Sequence, residues 1–235
     1  MNFGERFSNF LGTNAAVQQH PQTEDDKLDQ ELENVLNHPA PPYNEAEYWN
    51  SRYTNETGSF DWYQPWSNLE PILEPILQNK GSALNLGCGN STMTAELITY
   101  GFQKVVGFDI SSVVIGQMKE KYASEANIEW VIGDCQKINY PPASFDVVFD
   151  KGTLDSLICS ENAAHIIRSM LSEVSKVLKP GGYFIEISHG TPNTRVPFFK
   201  VPALSWTLQE TKEVEKITEP GTYHYIYIAQ KNGTE

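Results

Sequence analysis

Two glycines one residue apart, and a series of carboxylates downstream of them, are the chemically suggestive features of this 235-residue chain. In Leu86-Gly87-Cys88-Gly89-Asn90-Ser91 the glycines let the backbone turn tightly and approach a ligand closely, and Asn90 or Ser91 can cap a following helix. Asp109 follows Gly87 by 22 residues, where a carboxylate can accept two hydrogen bonds from a ribose diol. Asp134 closes another apolar run and could accept from an amino group. Asp150 and Asp155 flank Lys151 beyond a further apolar run. Cys88, Cys135 and Cys159 stand apart, with no CxxC or Cys/His grouping, so no metal centre is expected.

These residues need elements to hold them. From Ser82 onward, strands are predicted at Ala83–Leu86, Lys104–Asp109, Ile128–Gly133, Phe145–Asp150 and Gly182–Ser188. Helices fall between them near Thr92–Tyr100, Val113–Ser124 and Ala163–Leu178, the last ended by Lys179-Pro180-Gly181-Gly182. Two further strands, Trp206–Glu210 and Tyr223–Ala229, read as a hairpin across Pro220-Gly221. The expected fold class is α/β: a doubly wound, mostly parallel, seven-stranded Rossmann-like sheet with an antiparallel C-terminal hairpin. Ligands of such sheets bind beyond the carboxyl ends of the strands, at the switch in strand order.

Residues 1–42 are expected to form an acidic, flexible arm, and 43–235 one domain. Over residues 1–48, Arg6 and Lys27 face nine acidic groups, more than half of the net charge of −13. Leu28, Leu32, Val35 and Leu36 have helical spacing within that segment. In the stretch 43–79, Tyr43, Tyr48, Trp49, Tyr53, Phe60, Trp62, Tyr63 and Trp66 form either an aromatic helix packed on the domain edge or a lid over a ligand. A pI near 4.8 argues against nucleic acid and anionic membranes as partners and leaves room for a basic protein. No apolar run reaches the roughly 18 residues of a membrane span, and no signal peptide is visible. A cytoplasmic monomer is the expectation.

The nature of the ligand turns on phosphate. Thr92 stands where GxGxxG needs its third glycine. Up to Asp109, a nicotinamide dinucleotide and S-adenosylmethionine (SAM) fit equally. Asp134 favours SAM, which carries no phosphate and suits one acid at the ribose and another at the adenine. A pyrophosphate needs a helix N-terminus free of nearby acids.

Leu84-Asn-Leu-Gly-Cys-Gly89, Val106-Gly-Phe-Asp109, Gly133-Asp134, Phe145-Asp-Val-Val-Phe-Asp150 and Val177-Leu-Lys-Pro-Gly-Gly182 resemble, in order and spacing, the class I SAM-dependent methyltransferases. Asn85 departs from the acid that many members carry. More narrowly, Glu47-Tyr-Trp-Asn-Ser-Arg-Tyr53, Asp61-Trp-Tyr63, Asp150-Lys-Gly-Thr-Leu-Asp155 and Tyr223-His-Tyr-Ile-Tyr227 resemble a branch of protein-lysine methyltransferases that modify elongation factor 1-alpha or citrate synthase. That resemblance implies Trp49, Tyr53 and Trp62 around SAM, so it favours the lid. It also implies Gly87 at the methionine part, Asp109 and Ile110 at the ribose, Asp134 and Cys135 at the adenine, and Lys151 after strand 4, with Gly89 among the cofactor-binding residues. It implies transfer to a neutral lysine amine, leaving S-adenosylhomocysteine, with Asp150 and Asp155 as the candidate catalytic residues. Fold does not fix substrate, so a small-molecule methyltransferase and a non-catalytic SAM-binding module are the alternatives.

Overall fold

The computed structural model describes residues 41–56 and 58–233. The acidic arm expected over 1–42 lies outside them save for Pro41 and Pro42, as does the helical spacing at Leu28–Leu36.

Two short helices, α1 (Ala46–Asn55) and α2 (Trp66–Leu73), precede the sheet. The strands are β1 (Ser82–Leu86), β2 (Lys104–Asp109), β3 (Ile128–Ile132), β4 (Phe145–Lys151), β5 (Leu178–Ser188), β6 (Trp206–Glu215) and β7 (Tyr223–Lys231). Between them run α3 (Met93–Tyr100), α4 (Ser112–Lys121), α5 (Thr153–Ile158), α6 (Ala163–Val177) and α7 (Pro192–Phe199). The sheet order is β3-β2-β1-β4-β5-β7-β6. β1 to β5 pair in parallel, and β7 inserts antiparallel between β5 and β6. The seven expected strands and their mixed directions are therefore present.

Side chains of a strand alternate between faces, and each parallel strand here feeds two cores. Leu84, Val106, Val148 and Phe184 point to one layer, covered by Ile167, Met170, Leu171 and Val174 of α6. Ala83, Val105, Val147 and Ile185 point to the other, covered by Leu69 and Leu73 of α2 and by Met93 and Leu97 of α3. A third cluster joins Tyr53 of α1 to Cys88 and to Val114, Ile115 and Met118 of α4.

Three boundaries differ from expectation. β6 runs longer than predicted because Thr211–Glu215 continues the pairing with Tyr223–Tyr227, and β7 because Gln230 and Lys231 pair with Thr207 and Trp206. β5 begins at Leu178, which pairs with Phe145 before a register shift. The residues after Ser188, where no element is predicted, form α7, with Thr191 as N-cap and Pro192 in the first turn.

Candidate active site

The strand order reverses between β1 and β4, and the turns that leave these strands sit side by side. In the β1–α3 turn, Gly87 has φ +65° and Gly89 φ +52°, in the left-handed region that glycine enters without steric cost. Their neighbours enforce the same choice. A Cβ on Gly89 would lie 2.7 Å from the Tyr53 hydroxyl, and one on Gly87 would collide with the Thr153 side chain of α5. Ser91 Oγ accepts from Met93 N at 3.1 Å to cap α3, while Ser91 and Thr92 donate to the Asp61 carboxylate. With Asp61 and Glu96 at this helix end, its positive pole is already matched by acid, and a phosphate is disfavoured there.

Asp109 ends β2 and is buried. Its carboxylate accepts from Gly89 N and Ser111 N, each at 2.9 Å, one per oxygen. Burial lifts its carboxyl above the usual range, opposed by those amide donors. About two of its roughly four lone-pair positions remain for a ligand. Asp134, after β3, is exposed and accepts from Gln136 N at 2.8 Å. Ile110 and Cys135 are half-buried beside these two acids. Burial and Asp134 push the Cys135 thiol up, so it is an apolar wall group.

Segment 43–64 packs over this crevice. Asn50 Oδ1 accepts from Ser111 Oγ at 2.8 Å, docking α1 beside Asp109. Trp49 stacks on Tyr53 with ring centroids 5.9 Å apart, and the Arg52 guanidinium lies 5.8 Å from the Trp49 ring centre and 5.0 Å from that of Trp62. The stretch expected as a lid, 43–79, thus divides: Trp66, Leu69, Leu73 and Leu77 are core, with Tyr63 packed against them, while Trp49 and Tyr53 pack with Cys88 and α4. Lys151 Nζ pairs with Asp61 Oδ1 and donates to Gln64 O at 3.0 Å. It therefore meets the crevice through Asp61. Burial lowers the ammonium's pKa while Asp61 raises it; burial raises the Asp61 carboxyl, but Lys151, Ser91 and Thr92 hold it below its usual range.

Asp150 and Asp155 are both fully buried, and their surroundings shift their carboxyls in opposite directions. Asp150 accepts from Thr153 N at 2.8 Å and Leu154 N at 3.0 Å, starting α5. Burial, then the Asp155 charge, pushes its carboxyl up to about 7. Asp155 has five donors: Ser188 Oγ, Arg195 Nε and Arg195 Nη2 on Oδ1 at 2.6, 3.0 and 2.8 Å, and Tyr63 Oη and His189 N on Oδ2 at 2.7 and 2.9 Å. Burial opposes its charge, but Arg195 and the other donors hold it below the usual carboxylate range. Its lone pairs are thus committed within the protein, tying Tyr63, α5, β5 and α7 together. Sequence reasoning did not pair Tyr63 or Arg195 with Asp155, nor Asp61 with Ser91 and Lys151, because these partners lie 30 to 92 residues apart. It also missed Glu186, a buried acid in β5; a glutamate inside an otherwise apolar strand was the available signal. His224 stacks near Tyr63 and contacts Gln64. Burial, Lys216 and His189 lower it to about 4, which suits a neutral structural ring. Among the described residues no group of three His, Cys, Asp or Glu could hold a metal ion, and no helix is long and apolar enough to cross a membrane.

A methyltransferase domain model matches residues 77–231. "EEF1A lysine methyltransferase 4" of Mus musculus is 33% identical over 199 residues, spanning 80% of this chain and 76% of that protein. Its Bos taurus counterpart is 35% identical over the same share of each. "eEF1A lysine and N-terminal methyltransferase" of Mus musculus is 35% identical over 160 residues, 66% of this chain but 23% of that longer protein. Among solved structures, a SAM-dependent methyltransferase from Methanosarcina mazei superposes with a TM-score of 0.57 at 20% identity, covering 74% of this chain and all of that one. A protein of echinomycin biosynthesis gives 0.61 at 16% identity, covering 81% of this chain and 94% of the other. At these identities the structural likeness concerns the fold.

Proposed function

This chain belongs to the class I SAM-dependent methyltransferases, in the branch of the elongation factor 1-alpha lysine methyltransferases, and from that premise we propose that its acceptor is a lysine side chain of elongation factor 1-alpha or a similarly basic protein. The observation that carries the reading is the identity to the curated lysine methyltransferases, which spans both the sheet and the segment ahead of it.

The residues present suit SAM. Gly87 and Gly89 keep the β1–α3 turn free of side chains where a methionine moiety would lie. Asp109 has acceptor capacity left for a ribose diol, with Ile110 beside it. Asp134 is open to an adenine amino group, and Cys135 supplies an apolar wall. Trp49, Tyr53 and Trp62 present aromatic faces, which attract a desolvated cation by about 0.5–2 kcal/mol. SAM supplies a methyl group on a cationic sulfur and leaves as S-adenosylhomocysteine. Lys151 serves this site by locking Asp61, and through it the lid, against the β1–α3 turn. Asp155 holds Tyr63 and α7 in place as a positioning residue, while Asp150 is the acid left to act on the acceptor amine. A lysine ammonium has no lone pair, and burial within the site favours its neutral form.

Incubating the protein with labelled SAM and a total cell lysate tests this. A labelled lysine in a band the size of elongation factor 1-alpha is the expected result. Label confined to the small-molecule fraction would assign a small acceptor instead, and no label in either fraction would leave a SAM-binding module.

A further inference from the structure

Glu186 lies one strand from Asp150, and both of its carboxyl oxygens are buried without a hydrogen-bond partner. Its side chain is 1% exposed. Among the described residues it is the one acidic side chain in this condition. Its backbone pairs with Asp150 on β4 and with Tyr227 on β7, so the three side chains share a face near the carboxyl end of the sheet.

The groups facing it are Asp150 from β4, Asp155 from α5, Arg195 from α7 and Tyr227 from β7. Tyr227 gives its hydroxyl hydrogen to Gly190 O at 2.6 Å. Arg195 Nε is 3.8 Å from Glu186 Oε1, and the guanidinium already donates twice to Asp155. Asp155 and Glu186 thus share a single guanidinium whose donors point at Asp155, and the charge of Asp150 is felt beside them. Burial, then the charges of Asp155 and Asp150, keeps the Glu186 carboxyl well above its usual range. Neighbouring carboxyls in this setting do not both ionise. A buried acid with no hydrogen-bond partner, placed where acceptor chemistry is expected, is a functional candidate with a physical reason.

We propose that Asp150 and Glu186 form a proton-sharing pair that takes the proton from the acceptor lysine's ammonium, Glu186 acting through Asp150 as a positioning residue. This rests on the lysine-methyltransferase reading above. In the step, one ammonium N–H bond breaks and one carboxyl O–H bond forms. The nitrogen keeps the electron pair that it then gives to the methyl carbon, while the C–S bond electrons go to sulfur. The pair returns its proton to water after the product leaves. Asp150 spends one lone pair of each oxygen on backbone amides and has capacity left to meet the amine.

The test is the pH dependence of kcat for the full-length protein with elongation factor 1-alpha as acceptor, for wild type and Glu186→Gln. In wild type, kcat should rise with pH as the pair gives up a proton. In Glu186→Gln the amide donates to the Asp150 carboxylate and stabilises its charge, so the midpoint should move to lower pH by about half a unit or more. The plateau should fall, since Asp150 becomes a weaker base, while the Kd for SAM stays within about twofold. Profiles that superimpose after scaling would mean a structural role and would overturn the proposal. Wild-type protein that labels no lysine at any pH would overturn the underlying reading and this proposal together. Should the amide variant fail to fold, wild type carries the test. The infrared carbonyl stretch of a buried protonated carboxylic acid should be present at about pH 6, and its absence would overturn the proposal.

Discussion

Replacing Asp155 by Asn separates the charge of this residue from its shape. The carboxylate takes three donors on Oδ1 and two on Oδ2. An amide whose oxygen stays toward Ser188 and Arg195 turns its NH2 toward the Tyr63 hydroxyl, which can rotate to accept, and toward the His189 N–H, which cannot. One buried backbone donor is then unsatisfied, at a cost of about 1–3 kcal/mol. Arg195 also loses its anion. Removing one member of a buried pair costs about 3–5 kcal/mol, but Glu186, 3.8 Å away, can ionise and take over part of that role. The net loss should therefore be about 3 kcal/mol, or a melting point lower by roughly 6–12 °C for a domain of this size. Urea unfolding at neutral pH, followed by tryptophan fluorescence, measures it directly. Adding Arg195→Met should return part of the loss, because no charge is then stranded. The pH dependence has a fixed sign. The folded carboxyl lies below its ordinary 3.8, so its contribution is present above that pH and fades as pH falls through the lower folded value, and the deficit of the variant closes only in acid. A loss under about 1 kcal/mol, with no rescue by Arg195→Met, would refute the charged-anchor reading.

Other outcomes follow from the same geometry. Asp109→Ala should abolish SAM binding in calorimetry, since it removes the ribose acceptor and frees the Gly89 and Ser111 amides; near-normal affinity would mean the ribose lies elsewhere. Gly89→Ala places a methyl group 2.7 Å from the Tyr53 hydroxyl at φ +52°, costing about 1–2 kcal/mol in backbone strain alone, and should weaken SAM binding through a displaced lid. Lys151→Met leaves the half-buried Asp61 without its counter-ion, so hydrogen exchange over residues 58–64 should accelerate at least tenfold, with protection in α6 unchanged. Deleting residues 1–40 should reduce activity on a basic protein more at low salt than at high salt; equal loss at both would make the acidity a matter of solubility.

The frame was legible because its signals are local. Acids and glycines at strand ends, the apolar face of α6 and the turn at Pro220-Gly221 each fall within a few residues of the feature they specify. The placement of β7 inside β6 was also written in the chain: Ile226-Tyr227-Ile228-Ala229 is continuously apolar, as a strand covered on both faces must be, whereas Glu210, Glu213 and Glu215 mark an edge. α7 was obscured by Pro197, which argues against a helix, although Thr191-Pro192 is a start signal. The pairings that decide charge states were beyond sequence reading. Lys151 finds Asp61 across 90 residues, and nothing near either announces the other. The same holds for Asp155, whose neighbours in the chain suggest a helix cap and whose partners in space make it the hub of the site.

The order β5-β7-β6 also sets a timetable. On the ribosome β6 emerges before β7, yet β7 is the strand that β5 pairs with. Until Tyr223–Lys231 is free of the exit tunnel, the flank of β5 is an open edge bearing Phe184, Ile185 and Ile187, and nothing made earlier can close it. The sheet is completed by threading its last strand between two already synthesised. Nascent chains of this protein should therefore carry a sticky edge until β7 has cleared the tunnel, and the buried surroundings of Glu186, which include Tyr227 of β7, are complete only then.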